Sequence, residues 1–517
     1  MIINMKKIFY FIVLLLGLAS CYEDKGNYDY LDVQKIDVTG IDSIYVCNLS
    51  ETLEIKPQLS QNTSKDEYDY MWMCYDKKDL KKKIDTLSTA KHLSYKMNLP
   101  LSSYQLIFAY QNKNTKVTKY VYSSLTVQSG YSRGWYMLKE FDGGTELDLF
   151  AGNKQHENIF STSFGKPITG LPQHLGFAKY TWVDESTGKL ENGNKSFIVL
   201  TDKEMKVVRV ADMKQLASFK DLFFEDVPPC KPTLWFSGSE ENGFINDGLL
   251  YAYTERNGEL GLSKFAYPKE GNYKLSSVFT KNATMSPLMF DLNSGKFCTS
   301  YTTPNKIVFL EDDGQSKFKN DFVDYSPVYF GFLDQGMWEG GKMYAVLKNK
   351  TDHTFVIVYV DSNNLVYYDE SFLKNRITKI QTIAKDQLFN KATCFAQNRK
   401  FEMMYFAVND KLYCYDLANT VEYEVKRENG QPAVPAGEHI VMMKHVVFNY
   451  KDYMDPNVKE YVDRLCVVTS NGTSYKLYLF ETLANKVKDN PEIHEGKGKP
   501  QQIFYMSPYL SDVDVCY

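Results

Sequence analysis

Few side chains in this sequence have the types and the spacing that catalysis or metal binding requires. The chain contains no Gly-x-Ser-x-Gly nucleophile turn, no phosphate-binding loop and no His-Glu-x-x-His zinc motif. Seven histidines are scattered along it, and His439 and His445 are six residues apart, which puts both on one face of a strand. A metal site needs more ligands than this pair supplies. We therefore predict a protein that is not an enzyme and that holds no metal or cofactor.

Three tryptophans are the candidate ligand-binding residues. Trp182, Trp235 and Trp338 lie close to polar, turn-rich segments, and such segments carry recognition when a rigid scaffold holds them. A tryptophan ring can stack on a sugar face or on a planar ligand. The alternative is that each ring fills the protein core, where aromatic side chains are common. The turn-rich segments are residues 184–195, 237–247, 428–438 and 488–500.

The first 20 residues have the pattern of a bacterial secretory signal. A short segment with two lysines precedes an apolar stretch from Ile8 to Leu18, and small residues follow it. The apolar stretch is shorter than the roughly 20 residues that span a bilayer. We therefore predict that residues 1–20 are a signal peptide.

Cys21 is the candidate site of lipid attachment. The sequence Leu18-Ala19-Ser20-Cys21 resembles a bacterial lipobox, in which the cysteine becomes the lipidated first residue of the mature protein. Acyl chains on that cysteine would anchor the protein to the outer membrane, with residues 21–30 as a polar tether. Glu23 and Asp24 resemble the export signal of surface-exposed lipoproteins. The alternative is an ordinary cleaved signal followed by a chance cysteine.

Composition excludes one class of partner and favours strands. The chain has 517 residues and a formal net charge of −4, so it lacks the basic excess of a nucleic-acid-binding protein. Aromatic residues make up 15% of the chain, and they pack well on the pleated surface of a sheet. Export would permit disulfides, and Cys47 with Cys74 is the first candidate pair. Buried free thiols are the alternative.

Residues 31–128 consist of short runs in which polar and apolar residues alternate. Asp32–Thr39, Tyr68–Tyr75 and Ser103–Tyr110 have the period of two that is typical of half-buried strands. Six or seven such strands in about 100 residues predict an immunoglobulin-like sandwich. Trp72 lies in the middle of one run, where we expect a core tryptophan.

A hairpin-like unit recurs between residues 131 and 517. Trp135–Phe150, Phe197–Val210 and Met404–Tyr415 are examples, and the units are often about 50 to 60 residues apart. That spacing fits four-stranded blades with long loops and predicts a β-propeller of about seven blades. Six blades and eight blades are the alternatives. Two successive sandwiches would explain the hairpins but not their recurrence. Gln501–Met506 is the candidate strand that closes the ring.

Two stretches of the sequence resemble the PKD-like family of outer-membrane lipoproteins. The first is Cys21–Tyr30, and the second combines Gly134–Glu140 with Gly144–Leu149. The resemblance implies a PKD-like fold for residues 31–128. It also implies a role beside SusC/SusD-type nutrient importers, in which a TonB-dependent outer-membrane channel works with surface lipoproteins. The cargo of such importers includes glycans, peptides and iron–siderophore complexes.

The sequence thus predicts an all-β, surface-exposed lipoprotein with a PKD-like sandwich and a propeller. We expect it to bind a nutrient ligand or to present that ligand to a TonB-dependent transporter. A SusD-like lipoprotein is the other expected partner. One alternative is a propeller enzyme, a glycan hydrolase or lyase, with carboxylates or a His/Tyr/Arg cluster at one mouth of the channel. Another is a structural component of a transporter complex with no ligand of its own.

Overall fold

Strands dominate both parts of the chain in the computed structural model. The structure describes residues 36–49, 51–60, 67–184, 188–224, 226–238, 241–253, 263–282, 286–312, 314, 317–334, 341–363, 365, 368–453, 456–483 and 485–511. The chain divides into two units between Val127 and Gln128. Within the described ranges no helix is both long enough and apolar enough to cross a bilayer. The helices described are α1 (Ile159–Phe164) and three short 3-10 helices, Phe219–Leu222, Glu370–Leu373 and Leu388–Lys391.

The N-terminal unit is a β-sandwich, as predicted. Its larger sheet has the strand order β2-β9-β8-β5-β6, while β3 pairs with β7 and β1 with β4. Alternate residues point into one core, in which Trp72 is completely buried, so its predicted core position is confirmed. The strands are β1 (Val38–Thr39), β2 (Ile44–Asn48), β3 (Thr52–Ile55), β4 (Gln58–Leu59), β5 (Tyr68–Asp76), β6 (Asp85–Ser88), β7 (Leu93–Lys96), β8 (Ser102–Asn112) and β9 (Thr118–Gln128).

The candidate disulfide between Cys47 and Cys74 is not formed. Both side chains are buried in the sandwich core as free thiols. Burial raises the pKa of the Cys74 thiol to about 12. The alternative interpretation, that these cysteines act as small hydrophobic side chains, is the one the structure supports.

The C-terminal unit is a β-propeller, in which the described strands form seven blade sheets. Blade 1 contains β10 (Gly134–Phe141), β11 (Gly144–Ala151), β12 (Lys154–His156) and β13 (Ile168–Thr169), and blade 2 contains β14 (Pro172–Asp184), β15 (Lys189–Thr201), β16 (Met205–Arg209) and β17 (Gln215–Ser218). Blade 3 contains β18 (Pro232–Phe236), β19 (Asn242–Asn246) and β20 (Leu249–Tyr253). Blade 4 contains β21 (Met289–Asp291), β22 (Lys296–Thr299) and β23 (Val308–Phe309).

Blades 5 to 7 follow the same plan. Blade 5 contains β24 (Tyr325–Asp334), β25 (Gly341–Asn349), β26 (Phe355–Asp361) and β27 (Ile377–Thr382). Blade 6 contains β28 (Cys394–Gln397), β29 (Met403–Val408), β30 (Lys411–Asp416) and β31 (Val421–Glu424). Blade 7 contains β33 (Ile440–Lys451), β34 (Lys459–Ser470), β35 (Ser474–Phe480) and β38 (Glu492–Lys497). A small additional sheet is formed by β32 (Lys426–Arg427), β36 (Thr482–Leu483) and β37 (Lys486–Val487).

The last described strand, β39 (Lys499–Met506), closes the ring. It pairs antiparallel with β10 and becomes the innermost strand of blade 1, opposite β12. The ring of Trp135 lies 4.7 Å from that of Tyr505 across this pairing. The predicted closing strand is therefore confirmed, and the first and last segments of the propeller share one sheet.

Middle strands of the blades are buried on both faces. Phe197–Leu200 of β15 and Tyr344–Leu347 of β25 are fully enclosed between neighbouring blades. Such strands are nearly continuous apolar runs, which explains why the second and third strands of a blade were visible as hairpins in the sequence. At the β10–β11 turn, Asp142 and Gly143 both have positive φ, as a two-residue hairpin of this kind requires.

Two segments that the sequence marked as turn-rich contain blade strands. Residues 237–247 include β19, and residues 488–500 include β38. A Cβ on Gly243 would lie 2.6 Å from Cζ of Phe236, and one on Gly496 would lie 2.3 Å from the ring of Tyr475. These glycines make room for a neighbouring aromatic ring instead of forming a turn.

Candidate functional site

A cavity of about 420 Å³ lies where the inner edges of the seven blades converge. Neighbouring inner strands contact one another on both sides of the closing strand, β33 with β39 and β39 with β14. A volume of this size lies within the range of small-ligand sites, about 300 to 1,000 Å³. Every blade contributes to its wall; in blade order, representative residues are Gln502, His174, Leu234, Phe279, Phe332, Arg399 and Lys444.

The wall combines aromatic rings with a few polar groups. Phe279, Phe332 and Tyr505 provide apolar surface, and Lys444 and Arg399 provide two cationic side chains. Among the described residues that line the cavity there is no aspartate or glutamate. The cavity therefore favours an uncharged or anionic ligand with an apolar face over a cation.

His174 lines the cavity from the beginning of β14. Burial, reinforced by the positive charge of Lys444, lowers the pKa of His174 to about 3. The imidazole is therefore neutral throughout the physiological range of pH. It adds a polar, uncharged ring to the wall and does not change the charge of the cavity near neutrality.

Arg399 ties three blades together at one end of the cavity. Its guanidinium donates to Oδ2 of Asp334 at 2.5 Å and to the carbonyl oxygen of Val447 at 2.7 Å. The guanidinium carbon lies 4.8 Å from the ring centroid of Phe332. Because Arg399 belongs to blade 6 and its partners come from blades 5 and 7, this side chain fixes the spacing of the inner strands as well as lining the cavity.

Both ring nitrogens of His445 are engaged. Nδ1 accepts the backbone N–H of Arg399 at 2.9 Å, and Nε2 lies 3.1 Å from Oδ1 of Asp463. Burial lowers the pKa of His445, and the hydrogen bond from its ring contributes most to a lowered pKa for Asp463. Lys400 adds a second contact to Asp463 at 2.8 Å. His445 is thus a structural bridge between blades, and His439 takes no part in this bridge.

Polar side chains satisfy backbone groups at the inner edges of the strands. The side chain of Gln502 accepts the N–H of Leu175 at 2.8 Å and donates to its carbonyl oxygen at 3.0 Å. The hydroxyl of Tyr329 accepts the N–H of Gln397 at 2.7 Å. Buried backbone groups need such partners, so these side chains hold the cavity wall in place.

Trp235 belongs to the core and presents no face to a ligand. Only 1% of it is exposed, and its indole N–H donates to Oγ of Ser237 at 2.8 Å and to the carbonyl oxygen of Phe177 at 3.2 Å. A Cβ on Gly176 would lie 2.3 Å from Cδ1 of the ring. Of the two interpretations of Trp235, the structure supports the core.

Trp182 is the other predicted site residue that the structure describes, and it does not line the cavity. Trp182 is half-buried near the end of β14, away from the residues that line the cavity, with Nζ of Lys214 4.3 Å from its ring centroid. Trp338, Cys21, Glu23 and Asp24 lie outside the described residues, as does the predicted signal peptide. Sequence reasoning did not predict the residues of the cavity wall as a binding site, because no motif marks them and they come from seven separate blades.

Comparison with known proteins assigns the first third of the chain. Residues 21–172 match the PKD-like family. The match extends beyond the sandwich and takes in β10 to β13 of blade 1, which contain the Gly134–Glu140 and Gly144–Leu149 stretches. No curated protein matches the chain.

Several solved structures resemble the chain at low identity. A quinonprotein alcohol dehydrogenase-like protein from Bacteroides thetaiotaomicron VPI-5482 is 14% identical, with a TM-score of 0.40 over 90% of this chain and 96% of that one. The Cps50 (Swd1) β-propeller domain of Myceliophteria thermophila is 7% identical, with a TM-score of 0.33 over 68% and 90%. The WD40 domain of SCAP from fission yeast is 9% identical, with a TM-score of 0.33 over 63% and 74%. The propeller assignment rests on the strand pairing of the chain itself.

The Gly134–Glu140 and Gly144–Leu149 stretches of blade 1 build a buried polar network. Nζ of Lys139 lies 2.6 Å from Oδ2 of Asp148, and both side chains are fully buried. Asp148 also accepts the hydroxyl of Tyr475 at 2.6 Å and the backbone N–H of Asn158 at 2.8 Å. Because Tyr475 belongs to blade 7, the network joins the two blades at the closure of the ring.

Glu146, two residues before Asp148, forms hydrogen bonds with the first turn of α1. Its carboxylate accepts the backbone N–H groups of Phe160 at 3.1 Å and Ser161 at 2.9 Å. Burial raises the pKa of Glu146, while these hydrogen bonds oppose the rise. The two acids of this stretch therefore have a structural role: Glu146 caps the helix, and Asp148 binds Lys139 and the neighbouring blade.

Proposed function

We propose that this chain is a lipid-anchored binding protein of the outer membrane surface. In this proposal Cys21 carries the lipid, and the propeller holds a nutrient ligand in its axial cavity for a TonB-dependent transporter. The secretory pattern of residues 1–20, the lipobox-like cysteine and the PKD-like match of residues 21–172 support the location. The glycan, peptide and ferric siderophore classes all remain candidates for the ligand.

The observation that carries the proposed binding role is the composition of the cavity wall. The cavity has the volume of a small-ligand site, and aromatic rings line it together with a few polar groups. Its described lining has cations but no carboxylate, so an anionic group on the ligand would meet no like charge there. A ferric siderophore or an acidic oligosaccharide would satisfy this requirement better than a basic peptide.

The same wall gives little support to an enzyme. Glycoside hydrolysis uses two carboxylates on either side of the scissile bond, and the described lining contains none. A lyase-type cluster of His445, Arg399 and Tyr329 is present, but all three side chains are already engaged in hydrogen bonds or ion pairs within the propeller. We therefore favour binding without turnover.

Equilibrium binding tests the proposal, with a variant that fills the cavity. Val328 lines the cavity and is 37% exposed, so Val328→Trp places a large ring in the mouth without entering the core. The matched control is Val421→Trp, because Val421 is 43% exposed on the outermost strand of blade 6. Titration with acidic and neutral oligosaccharides, peptides and ferric siderophores should give a ligand whose affinity falls at least about tenfold in Val328→Trp only.

Two outcomes would count against the proposed role. Turnover of any of these ligands at enzyme-like rates would favour the glycan-degrading alternative. A chain that binds none of them, yet co-purifies from solubilised outer membrane with a channel protein, would favour the structural alternative. Neighbouring genes that encode a TonB-dependent transporter and a SusD-like lipoprotein would support the proposed partners.

A further inference from the structure

The sandwich carries a compact apolar patch on the face of its larger sheet that points away from the core. Trp72, Leu106 and Phe108 point into the core, so the alternate residues of β5 and β8 point outward. Cross-strand pairing aligns these outward residues with two tyrosines of β9 in two rows. The rows are Met73–Ile107–Tyr122 and Met71–Ala109–Tyr120.

Two tyrosine rings form the exposed edge of this patch. Tyr120 is 52% exposed and Tyr122 is 60% exposed, while their cross-strand neighbours Ala109 and Ile107 are buried. The ring centroids are 6.4 Å apart and the ring planes differ by 28°. Two large rings that are nearly parallel and open to solvent offer exposed apolar surface to a ligand.

Polar pairs border the tyrosines at both ends of the patch. Gln111 faces Thr118 beyond Tyr120, and its Nε2 donates to the Thr118 hydroxyl at 2.9 Å. Gln105 faces Ser124 beyond Tyr122. Amides and hydroxyls both donate and accept hydrogen bonds, so they match the hydroxyl groups of a sugar.

The size of the patch discriminates between kinds of partner. Its apolar part covers three strands and two residues along each, which corresponds to roughly 200 Å² at the usual strand and residue spacings. A stable protein–protein interface buries about 800 Å² on each partner. The patch is therefore too small for a protein interface of ordinary size, but it suits two or three sugar rings.

We propose that this patch, which we call the tyrosine ledge (Tyr120 and Tyr122), is a carbohydrate-binding site. The apolar face of each sugar packs on a tyrosine ring, and the polar pairs at the two ends bond to the sugar hydroxyls. The ledge is separate from the propeller cavity, and its glycan-binding role does not depend on the function proposed for that cavity.

The test measures binding of defined oligosaccharides to the whole chain downstream of its signal segment. The probes are cellohexaose, xylohexaose, maltohexaose and chitohexaose, and isothermal titration calorimetry measures their binding. We expect at least one probe to bind, and Tyr120→Ala/Tyr122→Ala to weaken it at least about tenfold. Tyr120→Phe/Tyr122→Phe keeps both rings and should stay within about threefold of the parent, because stacking and not the hydroxyl provides the contact.

Two controls separate the ledge from other effects. Tyr453→Ala removes a tyrosine that is 97% exposed, and it should leave binding unchanged. Measured in a Val328→Trp background, which blocks the propeller cavity, the loss caused by Tyr120→Ala/Tyr122→Ala should be the same as in the parent, so failure of one site is distinguishable from failure of the other. Circular dichroism and thermal unfolding confirm that the exposed-face variants remain folded.

Three results would overturn the assignment. The first is that no probe binds, and the second is that a probe binds equally well to the double alanine variant. The third is that the double alanine substitution changes the monomer–dimer distribution in sedimentation velocity, because the ledge would then be a contact between two copies of the chain. Retained binding by the phenylalanine variant, together with loss in the alanine variant, supports the ledge.

Discussion

Removing Lys139 should weaken the closure of the propeller far more than removing an exposed lysine. Lys139→Met deletes the cation of a pair whose side chains are both fully buried, and it leaves Asp148 with the Tyr475 hydroxyl and one backbone N–H. Breaking a buried ion pair from one side costs about 3–5 kcal/mol, because an uncompensated charge remains in the core. We expect a loss of that size in the free energy of unfolding.

A surface pair provides the matched control. Nζ of Lys231 lies 3.1 Å from Oδ2 of Asp247, with side chains 59% and 60% exposed. Exposed pairs contribute about 0–1 kcal/mol, so Lys231→Met should have little effect. The double variant Lys139→Met/Asp148→Asn removes the stranded charge and should recover at least half of the loss.

Hydrogen exchange measured by mass spectrometry suits this comparison. Peptides from β10, β11 and β35 report on the closure itself, whereas a global melting curve mixes the transitions of two units. The expected result is faster exchange in these peptides for Lys139→Met, with peptides of the sandwich unchanged. Equal effects of Lys139→Met and Lys231→Met, or no recovery in the double variant, would refute the reasoning.

Three further predictions concern packing, pH and anchoring. Gly176→Ala should cost about 1–3 kcal/mol in urea unfolding because its methyl group would overlap the Trp235 ring, whereas Gly130→Ala, with nothing closer than 4.0 Å, should be nearly neutral. The pKa of His174 is about 3 in the folded chain and about 6.5 when unfolded, so the unfolded chain binds more protons between these values and stability falls as the pH is lowered through that window. Urea midpoints at pH 7 and pH 5 should therefore differ less in His174→Gln than in the parent. Cys21→Ala should abolish metabolic labelling with palmitate and release the protein from the membrane fraction, whereas Cys230→Ala should leave both unchanged.

The sandwich and the propeller were predictable because their strands have strong local patterns. Period-two alternation marked the sandwich, and continuous apolar runs marked the middle strands of the blades, since both depend only on which face of a strand is buried. Blade 4 departs from this pattern, since its inner edge is held by two isolated bridges, Leu275 with Asp291 and Thr280 with Leu288, instead of a regular strand. The closing strand was visible as an unpartnered apolar run at the C-terminal end of the repeats.

The sequence by itself determined the strand-rich character of the chain, the position of the sandwich and the number of repeats to within one. Only the tertiary structure decided which side chains line the cavity, because Lys444, Arg399 and His174 come from different blades and have no shared spacing. It also decided that Trp235 is buried, since its environment depends on the close approach of Gly176 on the preceding blade. Local alternation fixes which face of a strand is apolar, whereas a site is defined by distances between strands that are far apart in the chain.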